Sequence, residues 1–556
     1  MKRSVSKYLV TAAVGGVGFL AGAFVMRHAE PEPLTVGAVQ EAGKVIGQSF
    51  SNAEADSMIN MLQQFRTSYD ALHKLNMPNS VVPAMQFNPL PVGFVQPDSK
   101  NAFKLPQQEA VKLPADKDEL AFYSIRQLAY LIKTRQISSV QLTRFFFERI
   151  KRYDPKLLFA VTITDTYALK KAAEADAEIK AGHYRGLLHG IPFGAKDLLA
   201  QKDHRTTFGS KAFKDQQLNI DATVITRLEA AGAILLAKTT LGELAMGDVW
   251  FGGKTRNPWD PSRGSSGSSA GSSSAVSAGC LPYAIGSETL GSIVSPATEC
   301  GVTGLRPTYG RVSKYGAMTL SWSMDKLGPI TRNAEDAAIV FNAIQGTDDK
   351  DHSTIAANFD YDATGRSLKG YKIGYLKRDF ERNGNHDTDS ATLAKLRELG
   401  AELVPLEYPP FKTSWMTFIL DAEAAAAFQD LVLTHRTDLL VQQNKNAWPN
   451  IFRASQFITA VEYLQANRAR TLLIEDWYKR LKGLDLYVTP TYSINLAMTN
   501  LTGNPCVVLP NGFNKAGRPY SITFMGQLFG EAKLLQAARL YQNATSFHKQ
   551  HPKMNF

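Results

Sequence analysis

Cysteine is scarce. The 556-residue chain holds three, Cys280, Cys300 and Cys506, too few and too scattered for a disulfide framework or a cysteine-rich zinc module. The ten histidines are scattered as well, and none forms an H-E-x-x-H pair, so a metal site is not expected. No block of like charge stands out, and there is no zinc-finger spacing, RNA-binding signature or basic arm. The formal charge of +11, from 62 basic and 51 acidic residues, is diffuse and argues for solubility rather than nucleic-acid binding. No internal repeat is found. What the chain does have is apolar material, 44% hydrophobic against 20% charged, which excludes a disordered polymer. Its length supports a large core, in one oversized domain or two to four ordinary ones.

One run lacks charge altogether. Tyr8 to Met26 holds no ionisable side chain except Tyr8 itself; Lys2, Arg3 and Lys7 precede it and Arg27 follows. As a helix it would span roughly 28 Å, about the thickness of a hydrocarbon core. Basic residues ahead of such a segment favour export of the chain behind it, and Ala21-Gly22-Ala23 offers small residues for a cleavage site. Residues 1–30 are therefore expected to be a cleaved signal peptide or an uncleaved membrane anchor. The protein is then periplasmic or otherwise extracytoplasmic, with membrane association through this segment if it is retained.

Residues 31–117 read as an N-terminal extension. Met58, Met61, Leu62, Phe65, Tyr69, Leu72 and Leu75 recur at steps of three and four, one face of an amphipathic helix over 53–75. Three roles fit that helix: packing on the main domain, covering an active-site mouth, or a homodimer contact. Pro78 to Pro114 is Pro-rich and apolar and reads as an arm laid on a domain surface. The main domain is expected over 118–556. Ser138 with Gln141 makes a capping box for a helix through Arg152, and Tyr167 to Ala181 is a second helix. Strands are expected at 233–236, 283–285, 372–376, 484–488 and 507–509, among helices at 334–344, 393–399, 415–440 and 457–481. Buried runs separated by helices imply an α/β layered fold. Phe145-Phe146-Phe147 and the cysteines read as core.

The stretch from Ser262 to Ser277 is unusual, with nine serines in 16 residues. A flexible linker would have that composition. This one contains no Lys, Glu or Asp and runs into Ala275-Val276-Ser277-Ala278-Gly279, residues suited to tight helix packing. Two nearby patterns are decoys. Gly232 to Thr239 nearly fits a phosphate loop, but Ala237 stands where the second glycine belongs and the interior is Ile-Leu-Leu, a buried strand. Gly267 to Gly271 fits G-x-S-x-G, but Asn257-Pro258-Trp259-Asp260-Pro261 precedes it where a nucleophile elbow needs a strand.

Three pieces remain: Lys196 closing the uncharged run GIPFGAKD (190–197), the serine loop GSSAGS (267–272), and Ser292 in LGSIVSPA (290–297). Together they resemble the amidase signature family, whose patterns are GIPxxxKD, GSSGGS and GGSxxxPA. Ser268 lies 24 residues before Ser292, as the family spacing requires. Asn500 to Pro505, Gly526-Gln527 and Glu531 resemble the family's closing motif, so the likeness runs from about Asp118 to His551. The resemblance implies an α/β/α sandwich around a large mixed β-sheet and an enzyme, without cofactor, that hydrolyses a linear C–N bond of a small amide through an acyl-enzyme. It assigns Ser292 as nucleophile, Ser268 as a relay reached through a cis Gly267–Ser268 peptide, and Lys196 as base. The backbone N–H groups of Thr289, Leu290, Gly291 and Ser292 become the oxyanion hole, and Ser269 and Asp197 supporting residues. The chemistry is consistent: a serine must lose a proton to attack an amide, no histidine is placed to take it, and a lysine buried among Gly, Ala, Phe and hydroxyls loses its charge more readily than its free pKa of ~10.4 suggests.

Three positions depart from the family: Leu290 for Gly, Glu288 for Asp and Val294 for Arg. Leucine takes positive φ only at a cost, so the oxyanion loop is expected to differ, and the missing arginine to change its support. Two other readings stay open. One is the glutamine-hydrolysing component, the A subunit, of a tRNA-dependent amidotransferase, a cytosolic role that the export segment opposes. The other is an inactive binding protein on the same scaffold.

Overall fold

A computed structural model describes residues 33–75, 77–97, 100–382 and 386–554. The expected signal or anchor segment lies outside them. Among the described residues no helix is long and apolar enough to cross a membrane. The chain divides into two compact units, one ending at Asn76 and one starting at Met77. The first holds the helices Val36–Val45 and Asn52–His73. The second helix, the amphipathic one, opens on a capping box: Ser51 N–H donates to Glu54 Oε2 at 2.8 Å and Glu54 N–H to Ser51 Oγ at 3.3 Å.

The Pro-rich arm belongs to the second unit. The arm is bonded in: Ala102–Lys104 pairs in parallel with Asp360–Asp362, and the Phe87 ring meets that of Tyr309 edge-on at 5.0 Å.

The centre of the second unit is an eleven-stranded mixed sheet. Its strands are β1 (Ala160–Ile163), β2 (Pro192–Lys196), β3 (Ile234–Thr239), β4 (Ala284–Glu288), β5 (Thr303–Arg306), β6 (Lys326–Thr331), β7 (Lys372–Leu376), β8 (Glu402–Leu406), β9 (Leu486–Pro490), β10 (Cys506–Phe513) and β11 (Pro519–Gly526). Across the sheet they run β8-β7-β9-β11-β10-β5-β6-β4-β2-β3-β1. β3, β2 and β4 are mutually parallel and buried throughout, the pattern of strands covered by helices on both faces. β6 then runs antiparallel to β4, with Lys326 opposite Glu288. The Gly232–Thr239 decoy is the buried strand β3, as its composition implies.

The serine-rich stretch is no linker. It enters the helix Ala270–Ser277, all eight residues of which are buried. The helix lies so close to the strands that a Cβ on Gly271 would sit 2.2 Å from the Phe159 carbonyl oxygen. Contrary to the sequence reading, a strand does come shortly before this helix: Asp260–Gly264, paired with Arg256–Asn257 in a hairpin outside the main sheet. The run expected as one helix over 415–440 is broken into Phe418–Ala427, Gln429–Leu433 and a 3₁₀ turn Arg436–Leu439. Phe428 leaves helical geometry at φ −122°, ψ 26° to bury its ring against Phe452. β1, β2, β5, β6, β8 and β11 had no sequence expectation as strands.

Candidate active site

β2 and β4 are neighbours with Gly194 opposite Ala284, and each ends in polar residues at the carboxyl edge of the sheet, where open α/β sheets bind ligands. Lys196 is the last residue of β2; Ser287 and Glu288 end β4. Ser268 and Ser269 sit immediately before the helix Ala270–Ser277, which packs over β2, β3 and β4. Ser292 lies in the turn between β4 and the helix Val294–Cys300.

These elements bring one amine into a ring of hydroxyls. Lys196 Nζ, fully buried, lies 2.8 Å from Ser268 Oγ, 3.1 Å from Ser269 Oγ and 2.9 Å from Ser287 Oγ. The Gly267–Ser268 peptide is cis. Ser269 Oγ donates to the Ser287 carbonyl at 3.1 Å and accepts from the Ser287 N–H at 3.1 Å, so the second loop serine is saturated locally. The Ser269 N–H donates to the Ser292 carbonyl at 3.0 Å, which ties the turn carrying Ser292 to the serine loop. Among the described residues the Ser292 hydroxyl itself makes no hydrogen bond. Burial pushes the Lys196 pKa down to about 7, against the opposing pull of Asp325 and Glu288.

The turn between β4 and the following helix hangs from Glu288. Its Oε2 accepts the N–H groups of Ile293 (2.8 Å) and Val294 (2.9 Å); its Oε1 accepts Arg306 Nη1 (2.8 Å) and Asn500 Nδ2 (2.9 Å). Burial alone would raise this carboxyl, but the charges of Arg306 and Lys326 outweigh it and hold the pKa at about 2. Arg306 continues to Thr499 Oγ1 at 2.9 Å and the Asn504 carbonyl at 2.8 Å, and Lys326 Nζ reaches Asn500 Oδ1 at 2.7 Å. A guanidinium on β5 thus supports this turn, while position 294 contributes only a backbone amide. Leu290 does not take positive φ; the left-handed residue is Gly291, at φ 93°. The loop therefore turns without the strain expected of leucine. Among the described residues the N–H groups of Leu290, Gly291 and Ser292 have no acceptor.

Asp197 stands one step away. Its Oδ1 accepts Lys238 Nζ at 2.8 Å and its Oδ2 the Thr207 N–H at 3.0 Å, so it fixes the turn after β2 without touching the lysine–serine ring. Among the described residues no cluster of three His, Cys, Asp or Glu side chains is placed to hold a metal. Sequence reasoning missed Ser287, Arg306 and Lys326. Ser287 is the neighbour of Glu288, which was singled out; Arg306 and Lys326 carried no local signal. Asn500 was quoted only as part of a closing motif, and its tie to Glu288 is visible only in three dimensions.

The family model described as Amidase matches residues 141–499. The chain belongs to the amidase signature family. Among curated relatives, the A subunit of glutamyl-tRNA(Gln) amidotransferase from Coxiella burnetii is 35% identical over 483 residues, spanning 78% of this chain and 99% of that protein. Among solved structures, the peptide amidase of Stenotrophomonas maltophilia superposes with a TM-score of 0.70 at 31% identity, covering 78% of this chain and 99% of its own. An amidase family protein from Bacillus anthracis gives the same TM-score at 27% identity, covering 78% and 93%. The large mixed sheet flanked by helices is the amidase signature fold, and the family supports a hydrolase of C–N bonds.

Proposed function

We propose that the protein is an amidase that cleaves a linear amide through Ser292, with Ser268 relaying the proton and Lys196 as base. The observation that carries this reading is the buried Lys196 amine, its pKa lowered to about 7, held 2.8 Å from Ser268 Oγ. A neutral amine is available at ordinary pH, and it faces a hydroxyl rather than a carboxylate. The Ser292 oxygen attacks the amide carbon while its proton passes to Ser268 Oγ and the Ser268 proton to Lys196 Nζ. The carbonyl π electrons move to oxygen, and the N–H groups of Leu290, Gly291 and Ser292, with that of Thr289, receive the oxyanion. Losing one such donor typically costs ~3 kcal/mol of barrier. Collapse of the tetrahedral species breaks the C–N bond, and the lysine proton returns through Ser268 to the leaving nitrogen. Water repeats the sequence on the acyl-enzyme and frees Ser292.

The test is covalent labelling with a serine-directed fluorophosphonate. Labelling mapped to Ser292 and lost in Lys196→Ala supports the assignment; amide hydrolysis that survives Ser292→Ala refutes it. The curated relatives favour one second reading, the A subunit of an amidotransferase. The uncharged run Tyr8–Met26 behind three basic residues speaks against it and for work outside the cytoplasm. N-terminal sequencing of fractionated protein separates the two: an intact Met1 in the cytosol favours the amidotransferase role, and a processed or membrane-bound chain the exported amidase.

A further inference from the structure

We propose that Asp325, through Thr289, is a positioning residue for the oxyanion loop, a role that rests on the hydrolase reading above. Asp325 precedes β6, and its half-buried carboxyl bridges two segments. Oδ1 accepts the Thr289 hydroxyl at 2.6 Å; Oδ2 accepts the N–H groups of Leu320 (2.8 Å) and Ser321 (3.0 Å). Thr289 is the first residue after β4, directly ahead of the three amides that lack acceptors. The far side of the bridge is held rigidly from three directions. Asn79 on the Pro-rich arm accepts the Thr319 N–H at 2.6 Å and donates to the Thr319 carbonyl at 2.8 Å. Glu423 accepts the Ser321 hydroxyl at 2.6 Å and the Ser323 N–H at 3.0 Å. Arg470 donates to Ser323 Oγ at 2.9 Å and to the Ser323 carbonyl at 3.0 Å.

The two ends of the oxyanion loop are therefore pinned by different carboxyls. Glu288 fixes the Ile293–Val294 end through backbone amides, and Asp325 fixes the Thr289 end through one side-chain hydroxyl. With Oδ2 already serving two amides, the bond to Thr289 is the hydrogen bond by which Asp325 reaches the oxyanion loop, while its charge separately pulls the Lys196 pKa up. Cutting it leaves the Thr289 end with the long contact of Lys326 Nζ on its carbonyl, at 3.5 Å, while the lysine–serine ring, on other elements, keeps its contacts. Donors aimed at the transition-state oxygen then lose alignment, and the loss falls on kcat more than on KM.

The experiment compares Thr289→Val, Asp325→Ala and the double variant in the full chain at pH 9, where Lys196 is neutral with or without the Asp325 charge, with kcat expressed per site titrated by fluorophosphonate. Titration removes any effect of misfolded protein. Thr289→Val and Asp325→Ala are each expected to lower kcat about 10- to 100-fold with KM within about threefold. The double variant should be no worse than the poorer single one, because both cut the same link. Thr289→Ser should recover kcat at least about tenfold over Thr289→Val by restoring the donor hydroxyl. Asp325→Asn should recover over Asp325→Ala, since its carbonyl still accepts Leu320 and Ser321 and its NH₂ donates to Thr289 Oγ1. Multiplicative losses, a change confined to KM, or no recovery in the conservative variants would overturn the tether. Ser292→Ala, whose activity is expressed per mole of protein because it takes no label, keeps the readings apart. If it remains active, the hydrolase assignment falls and the tether with it; if it is dead while the losses multiply, only the tether falls.

Discussion

The pKa of Lys196 ties activity and stability to one proton, and both can be read. Burial lowers it from 10.5 to about 7. In the unfolded chain the amine titrates near its free value of ~10.4, so between roughly pH 7 and 10 the unfolded state binds a proton that the folded state does not. Stability from this group thus rises as pH climbs through that window and is lost as pH falls toward about 7. The slope is about 1.4 kcal/mol per pH unit, and the full window amounts to roughly 5 kcal/mol. Lys196→Met removes the proton while keeping the bulk. Urea unfolding of both proteins at pH 6, 7, 8 and 9 should show the wild type gaining on the variant by that slope above about pH 7, and no change in the difference below it. The labelling rate of Ser292 by a fluorophosphonate needs no knowledge of the substrate. It should fall tenfold per unit below the same pH, to about one-hundredth of its plateau at pH 5. A pH-independent stability difference, or a labelling limb centred above pH 9, would refute the neutral-lysine argument.

Two other perturbations test the loop supports. Arg306→Met leaves the Glu288 carboxylate buried without its guanidinium, a change expected to cost roughly 3–5 kcal/mol. Glu288, at about pKa 2, contributes stability that is present above its ordinary value and lost as pH falls toward 2. Acid unfolding of Arg306→Met, followed by circular dichroism, should therefore begin at higher pH than in the wild type. Gly291→Ala places a Cβ at φ 93° and 3.1 Å from both Leu496 Cδ2 and Ser295 Oγ. It should lose about 1–3 kcal/mol of stability in a melting curve and label at Ser292 at least about tenfold more slowly; an unchanged labelling rate would show that the turn does not need glycine.

Legibility in the sequence followed the range of each interaction. Helices with a local cap or a strong period, such as 139–157 and 334–344, were readable because their causes lie within a few residues. So were strands that are continuous apolar runs, such as 372–376. β6 was missed because its apolar residues are interrupted by Lys326, Gly328 and Pro329, and β8 because Glu402 and Pro405 break the pattern. What makes them strands is pairing with distant partners. At the site, Lys196, Ser268 and Ser292 were singled out by joint spacing, and the fold places Lys196 Nζ on Ser268 Oγ. Their supports were not, since Arg306, Lys326 and Asp325 matter only through neighbours brought together by the sheet. The worry over Leu290 came from counting glycines in a motif; the backbone assigns the left-handed turn to Gly291 instead. The arm was read as laid on a domain surface, but composition reports polarity and stiffness, not the carbonyls of Thr319 and Ala356 to which Asn79 and Gln96 are bonded.

Glu288 is held by Asn500, and its guanidinium partner is anchored on Thr499 and Asn504, some two hundred positions further along the chain. During synthesis the amine and all its hydroxyl neighbours leave the ribosome long before that anchor exists. A nascent or prematurely terminated polypeptide ending before residue 499 carries the amine and its hydroxyls but not the clasp that sets the turn. Maturation of the centre is thereby deferred until the chain is nearly whole, and fragments are born without it.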